Sequence, residues 1–391
     1  MAFPLHVPVA SATRTAVGRG IKGTLRHTRP EDMAAACLRE AVARVPGLSA
    51  GDVGDVSLGI AMPEAEQGLN MARQAVFLAN FPDSVPAQVV NRFCSSGLQA
   101  IALAAQGIAT GQYDVAIGGG VESMSMVPMS GNKLSLHPGL VEQRPEAYIA
   151  MGHTAERVAQ KFGVGAQEQN RFAARSHQKA VAAIAAGRFK EEIVPITPRM
   201  PGHKGGDVPA FAQDEMPRAD TSEEVLAKLR PAFAAKGSVT AGNSSPLSDG
   251  AAAVVVASEA KCQQLGVKPL GYMKAFQVVG VPPDIMGVGP YPAIEALLKR
   301  CGLDVADVGL FEINEAFASQ ALYCQRELKI PDDKLNVNGG AIALGHPLGC
   351  TGAKLSTQLL HEMGRRNVEF GVVSMCIGGG MGAAALYQRT A

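Results

Sequence analysis

Tryptophan is absent from this chain, and the aromatics together make only 5% of its 391 residues. Lysine plus arginine (36) is balanced by aspartate plus glutamate (35), leaving a formal charge of +1. With no basic field and no basic run interleaved with aromatics, nucleic-acid binding is disfavoured. No apolar run reaches the length that spans a bilayer, so no transmembrane segment is expected. The seven cysteines, at 37, 94, 262, 301, 324, 350 and 376, are odd in number, irregularly spaced and without a CxxC pair. That pattern argues against a disulfide framework and a structural zinc site, and no metal is expected. The opening MAFPLHVPVASATRT lacks the charged-then-apolar pattern of a secretory signal, and the closing RTA is not a peroxisomal tripeptide. The expected compartment is the cytoplasm.

Glycine, by contrast, is plentiful at 44 residues. It marks tight turns and backbone lying close to backbone or ligand. Strand-like and helix-like patterns alternate, which reads as an α/β chain. An internal repeat organises them. LREAVARVPGLSAGDVGDVSLG (38–59) resembles AIEALLKRCGLDVADVGLFEIN (293–314), and the stretch 89–124 parallels 336–382. Each copy of the second pair reads as strand, glycine-containing turn, helix, then a strand closing on three glycines. The repeat predicts two homologous α/β halves, 1–120 plus 241–268 and 269–391, with functional loops at the same end of each. Residues 121–240 have no repeat partner, are richer in proline and charge, and carry helices predicted over 154–162 and 166–186. A long insertion of this kind usually forms a binding or lid region. SPLSDGAAAVVVAS (245–258) then returns to the first half as a turn and a buried strand.

Four places could carry chemistry. In NRFCSSGLQA (91–100), Cys94 lies between a β-like run and an alanine-rich helical run. A helix N-terminus favours a thiolate, so this cysteine could titrate near or below neutrality; a small buried hydrophobe is an equal reading on position alone. In GGAIALGHPLGCTGA (339–353), His346 is predicted at a strand-to-helix turn in the loop equivalent to that of Cys94. Imidazole is the usual base for a thiol, and the two loops should face each other. Cys350, in the same loop, reads as packing. In VVSMCIGGGMGAA (372–384), Cys376 ends an apolar strand, and the glycines after it let backbone N–H groups approach a ligand. In EINEAFA (312–318), Asn314 and Glu315 end a strand, where a helix cap is the rival reading.

Together, VNRFCSSGLQA, GNSSPLSDGAA, NEAFA, NGGAIALGHPLGCTGA and CIGGGMG resemble the thiolase family, in the family's order. The resemblance spans essentially the whole chain, including MGHTAERVA and AKLRPAF, and is greatest to the degradative 3-ketoacyl-CoA thiolases (acetyl-CoA C-acyltransferases). It implies a five-layer αβαβα fold of two βαβαβαββ halves, with 121–240 as an inserted CoA-binding loop domain. It implies Cys94 as the acylated nucleophile, His346 as its base and Cys376 as a second acid/base. Asn314 would hold a water that, with His346, forms one oxyanion hole; the N–H groups of Cys94 and Gly378 would form the other. Arg218 would lie near the CoA adenine and phosphates, and Ser245 against the pantetheine. Phe233, Met151, Met286 and Phe317 would line the pantetheine and acyl tunnel. The implied activity is reversible thiolytic cleavage of 3-oxoacyl-CoA in β-oxidation. CoA would be a substrate and no cofactor permanently bound. The implied assembly is a homodimer, with a hydratase–dehydrogenase subunit as a further partner.

Two departures bear on subclass. ESMS (122–125) and MG (151–152) lie closer together than in tetrameric biosynthetic thiolases, which favours a dimer. Those enzymes usually carry a histidine just before that methionine, where this chain has Ala150. The enzyme rival is an acetoacetyl-CoA thiolase working in the condensing direction. A β-ketoacyl synthase, which pairs one Cys with two His, fits poorly because Cys376 occupies the third position. A non-catalytic lipid-binding member fits poorly because all four chemical positions are intact.

Overall fold

A computed structural model describes residues 3–202 and 207–389. The first half runs through β1 (Val7–Thr15), β2 (Gly18–Arg19), α1 (Pro30–Ala43), β3 (Asp55–Gly59), α2 (Met71–Leu78), β4 (Ala87–Val90), α3 (Ser96–Ala109) and β5 (Val115–Ser123). The intervening region holds α4 (Pro138–Gln143), α5 (Met151–Lys161), α6 (Ala166–Ala185), β6 (Ile193–Val194) and α7 (Glu223–Leu226). The chain returns through β7 (Ser248–Ala257) and α8 (Glu259–Leu265). It then runs on as β8 (Gly271–Gly280), α9 (Pro290–Cys301), β9 (Leu310–Ile313), α10 (Ala318–Glu327), α11 (Ala341–Leu344), α12 (Leu348–Arg366), β10 (Phe370–Ile377) and β11 (Met381–Gln388).

The strand order β4-β3-β5-β7-β1-β8-β11-β10-β9 is a mirror about the β1–β8 junction. In each half the two outer neighbours pair in parallel and the two inner pairings are antiparallel. The two sets of strands are joined where Val7–Val9 pair with Gly271–Met273. Helices α3 and α12 pack between the two sets, α1 and α2 cover the outer face of the first, and α9 that of the second, with α10 packed against α5, α6 and α9. This is the layered α/β arrangement of two homologous halves that the repeat predicts. Strand β7 shows why its AAAVVVA core is apolar on every residue. Ala251, Ala253 and Val255 enter the outer core, while Ala252, Val254 and Val256 enter the central one. A strand buried on both faces has no polar side to present.

The repeat is physical down to single hydrogen bonds. After α1 and α9 come matching 3₁₀ turns, Ala50–Asp52 and Val305–Asp307, each closed by its aspartate. Asp52 accepts from Ser49 N at 2.9 Å and Asp307 from Asp304 N at 2.8 Å. Gly54 and Gly309 then bond the start of the neighbouring strand in each half, at Val115 and Phe370. The symmetry fails at one place. The third strand of the second half is reduced to a single bridge between Phe311 and Leu335. The side-chain amide of Asn336 (φ 43°) takes over the ladder, accepting from Ile313 N and donating to Ile313 O, both at 2.9 Å. The helices expected over 154–162 and 166–186 are α5 and α6, and β5 runs three residues beyond the expected boundary at 120.

Candidate active site

The chemical residues are carried at the C-terminal ends of strands. Cys94 follows β4 in a 3₁₀ turn (Phe93–Ser95) that feeds α3. Asn314 follows β9, Cys376 is the penultimate residue of β10, and Gly378 comes just after it. His346 differs from expectation: it lies between the short helix α11 and α12 rather than directly after a strand. Asn336 and the glycines around it have replaced the strand there. Helices α3 and α12 cross closely enough that a Cβ on Gly352 would stand 2.3 Å from Leu98 N. This crossing brings the two helix mouths together.

Cys94, His346 and Cys376 line one cavity of about 520 Å³. Ser245, Phe233, Met151, Met286 and Phe317 line the same cavity. One wall is a cluster of Met286, Phe317, Met151 and Phe233 around Cys376; the other groups Cys94 with Ala61, Met124 and Leu348. The Phe233 and Phe317 rings meet edge to face, 5.9 Å apart. Arg218 lies elsewhere, in a second cavity of about 350 Å³. The two cavities share Arg19, Ala241, Ser244 and Pro246 as lining, so they adjoin. Arg218 N donates to His177 Nδ1 at 3.1 Å. Burial, then the Arg218 charge, lowers His177 to about 4 and keeps it a neutral acceptor.

The protonation states follow from the contacts. Thr351 gives its hydroxyl hydrogen to Pro347 O at 2.9 Å. Its oxygen is therefore the acceptor for His346 Nδ1–H at 2.5 Å, which leaves Nε2 as the lone-pair nitrogen. Nε2 lies 3.3 Å from Asn314 Nδ2. Burial lowers His346 to about 3, with a further contribution from the Lys354 ammonium, whose Nζ donates to Gly345 O at 3.2 Å. Cys94 is pushed up to about 11 by burial. The N–H groups of Gly378 and of Cys94 itself face the sulfur and pull the other way, and Glu122 adds to the rise. The expectation of a thiolate near neutrality is thus reversed, because loss of water outweighs the helix mouth. Cys376, fully buried, is raised well above an ordinary thiol by burial and then by the neighbouring thiols Cys94 and Cys324. Its sulfur donates to Gln320 Oε1 at 3.6 Å.

Three supporting residues escaped the sequence reading. Thr351 sets the imidazole tautomer and Gln320 holds Cys376. Glu122, beside Cys94, accepts from Ala61 N, Met62 N, Gly349 N and Gln67 Nε2, at 2.7–3.2 Å. Thr351 lies five positions beyond His346, in the first turn of α12, a signal the sequence did contain. Asn314 does not cap α10, which starts at Ala318 behind Phe317. Its Oδ1 is buried with no hydrogen-bond partner, and buried polar atoms are rarely left so. Among the described residues no group of three or more His, Cys, Asp or Glu is placed to hold a metal, and no helix is long and apolar enough to cross a membrane.

Two thiols and a neutral imidazole thus line one cavity, a set suited to acyl transfer. The chain belongs to the thiolase family: residues 7–260 match the thiolase N-terminal domain and 267–389 the thiolase C-terminal domain. It is 54% identical over 385 residues to the 3-ketoacyl-CoA thiolase of Bacillus subtilis (strain 168), covering 97% of this chain and 98% of that one. It is 47% identical to the 3-ketoacyl-CoA thiolase of Escherichia fergusonii, covering 98% and 99%. The dimeric peroxisomal thiolase of Saccharomyces cerevisiae matches with a TM-score of 0.91 at 40% identity, covering 99% of this chain and 98% of that one. The acetyl-CoA acetyltransferase of Bacillus anthracis matches with a TM-score of 0.90 at 40% identity, covering 99% and 100%.

Proposed function

We propose that the enzyme is a 3-ketoacyl-CoA thiolase, cleaving 3-oxoacyl-CoA with CoA to acetyl-CoA and a shortened acyl-CoA in β-oxidation. The observation that carries this reading is the meeting of Cys94, His346 and Cys376 on one cavity. The names of the relatives at 54% and 47% identity favour it over the acetoacetyl-CoA rival.

Cys94 attacks the 3-keto carbon as its proton passes to His346 Nε2. With the thiol near 11 and the imidazole near 3, that transfer is uphill in the empty site and must accompany attack. The alkoxide collapses, the C2–C3 bond breaks and its electrons pass to the thioester as an enolate. Cys376 protonates C2, and acetyl-CoA leaves. The incoming CoA thiol returns a proton to Cys376 and attacks the acyl-Cys94 thioester. Cys94 departs and recovers its proton from His346. The N–H groups of Cys94 and Gly378 serve the oxygen on the acyl carbon. Asn314 and His346 serve the enolate oxygen, and the unpaired Asn314 Oδ1 suits a bridging water. Removing one such donor typically costs ~10²–10³ in rate.

In this reading residues 121–240 form the CoA-binding loop domain, with Arg218 at the adenine and phosphates. Ser245, Met151, Phe233, Met286 and Phe317 guide the pantetheine and acyl chain. CoA is a substrate rather than a resident cofactor. The enzyme is a cytoplasmic homodimer, supplied by a hydratase–dehydrogenase partner that makes the 3-oxo group. The test is CoA-dependent cleavage of 3-oxoacyl-CoAs of increasing length, followed by loss of enolate absorbance. Cleavage extending to medium and long chains is expected; cleavage confined to acetoacetyl-CoA would select the condensing enzyme.

A further inference from the structure

The catalytic cavity has an unexpected charge. Among its lining residues there is no aspartate or glutamate, yet Arg19 and Lys22 both line it. Neither side chain makes a hydrogen bond or ion pair among the described residues. The nearby carboxylate that might have neutralised them is engaged elsewhere: Glu215 accepts from Arg19 N at 2.6 Å, Thr24 N at 3.0 Å and Thr24 Oγ1 at 2.7 Å. Two cations of one turn therefore line the cavity with no ion pair of their own, while the Glu215 carboxylate is held on the backbone of that turn.

The turn that carries them is also strained and fixed. Ile21, between them, has φ of +68° and is 59% exposed. A β-branched residue in the left-handed region is an outlier, and such strain collects at ligand clamps where neighbours over-determine the backbone. Here Gly20 N donates to Leu247 O and Ile21 N to Ser125 Oγ, both at 2.7 Å, while Gly23 N donates to Arg19 O at 2.8 Å. Ser125 in turn donates to Asp249 Oδ2 at 2.5 Å. The backbone is thus tied to the ESMS and SDG segments while the side chains of Arg19, Ile21 and Lys22 stay free at the cavity.

We propose that the turn Arg19–Lys22 is a cationic clamp for an anionic group carried by the thioester substrate, either the terminal carboxylate of a 3-oxo-dicarboxylyl chain or a phosphate of its carrier. The proposal rests on the thiolase reading above. Position separates the two residues. Arg19 lines both cavities, including the one that holds Arg218, whereas Lys22 lines only the cavity with the two thiols. A carrier phosphate belongs to the first position and an acyl-tail carboxylate to the second. Exposed charge contacts are individually modest, so Lys22 would discriminate between tails rather than determine binding outright.

The test uses the full chain and six-carbon thioesters that differ in one group. Dissociation constants of adipyl-CoA, hexanoyl-CoA and hexanoyl-pantetheine are measured by calorimetry for the wild type, Lys22→Met and Arg19→Met. The corresponding 3-oxo thioesters give kcat/KM. For Lys22→Met, the preference for the adipyl over the hexanoyl thioester is expected to fall about twofold to fivefold in both measurements. For Arg19→Met, the CoA thioesters are expected to weaken relative to the pantetheine thioester. A Lys22→Met effect equal on both CoA thioesters, and absent on the pantetheine thioester, would assign both residues to phosphate. Unchanged dissociation constants in both variants would overturn the clamp. Tight binding without any cleavage by the wild type would instead overturn the thiolase reading, since binding reports on the clamp independently of turnover.

Discussion

Cys94 is held by opposing electrostatic influences. Its own N–H and that of Gly378 favour a thiolate, while burial and the Glu122 carboxylate favour the thiol, and the thiol wins at about 11. The partner imidazole is held neutral, at about 3, by burial and Lys354. Neither group changes charge across the neutral range, so the resting pair is thiol and imidazole rather than thiolate and imidazolium. Alkylation of Cys94 by iodoacetamide, followed by peptide mapping, is expected to quicken by about tenfold per pH unit from pH 6 to 9 with no inflection. A plateau near neutrality would contradict the neutral pair. A resting thiol that ionises only as substrate arrives is also poorly reactive toward oxidants, because the thiolate is the nucleophile.

Helix α12 carries a contrast between two of its own glycines. A Cβ on Gly352 would meet Leu98 N at 2.3 Å, and backbone cannot move aside as a side chain can. A Cβ on Gly364 would meet nothing within 4 Å. Gly352→Ala is therefore expected to destabilise by about 1–3 kcal/mol despite the better helix propensity of alanine. It should also lower kcat, by pushing the His346 end of α12 away from Cys94. Gly364→Ala is expected to stabilise by up to about 1 kcal/mol. Denaturant midpoints of the two variants check the signs; a neutral Gly352→Ala would mean the α3–α12 crossing can widen freely.

The mirrored strand order ends at β4 on one side and β9 on the other. At the β9 end the single bridge to Leu335 and the Asn336 amide occupy the ladder. At the other end β4 pairs, among the described residues, with β3 alone, and an open strand edge is a ready template for another chain. Large apolar residues are exposed on α2 and the turns beside β4: Leu69 at 91%, Phe77 and Leu78 at 48% each, and Phe93 at 38%. A second copy joined β4 to β4 is expected to cover them. Sedimentation is expected to give a homodimer at micromolar concentration, and Leu78→Asp to shift it toward monomer. A monomeric wild type would contradict this arrangement. Phe93 immediately precedes Cys94, so such a contact would also brace the Cys94 turn.

Much of this was legible in the chain itself. The two DVG turns repeat because each needs an aspartate to close a 3₁₀ turn and a glycine where the next strand packs tightly. Those are local requirements, and local requirements leave periodic traces. The motif order likewise placed Cys94, His346 and Cys376 on loops at one end of the strands, and the structure brings all three to one cavity. What the sequence could not carry depends on neighbours distant along the chain. Burial by both halves raised Cys94 and lowered His346. A side-chain amide from Asn336 replaced a strand, and the fold of the intervening region put Arg218 in an adjoining cavity. Residue type and spacing determine which groups are present and in what order. Desolvation and counter-charge are properties of the surrounding volume, so only the tertiary structure decided which of those groups are ionised.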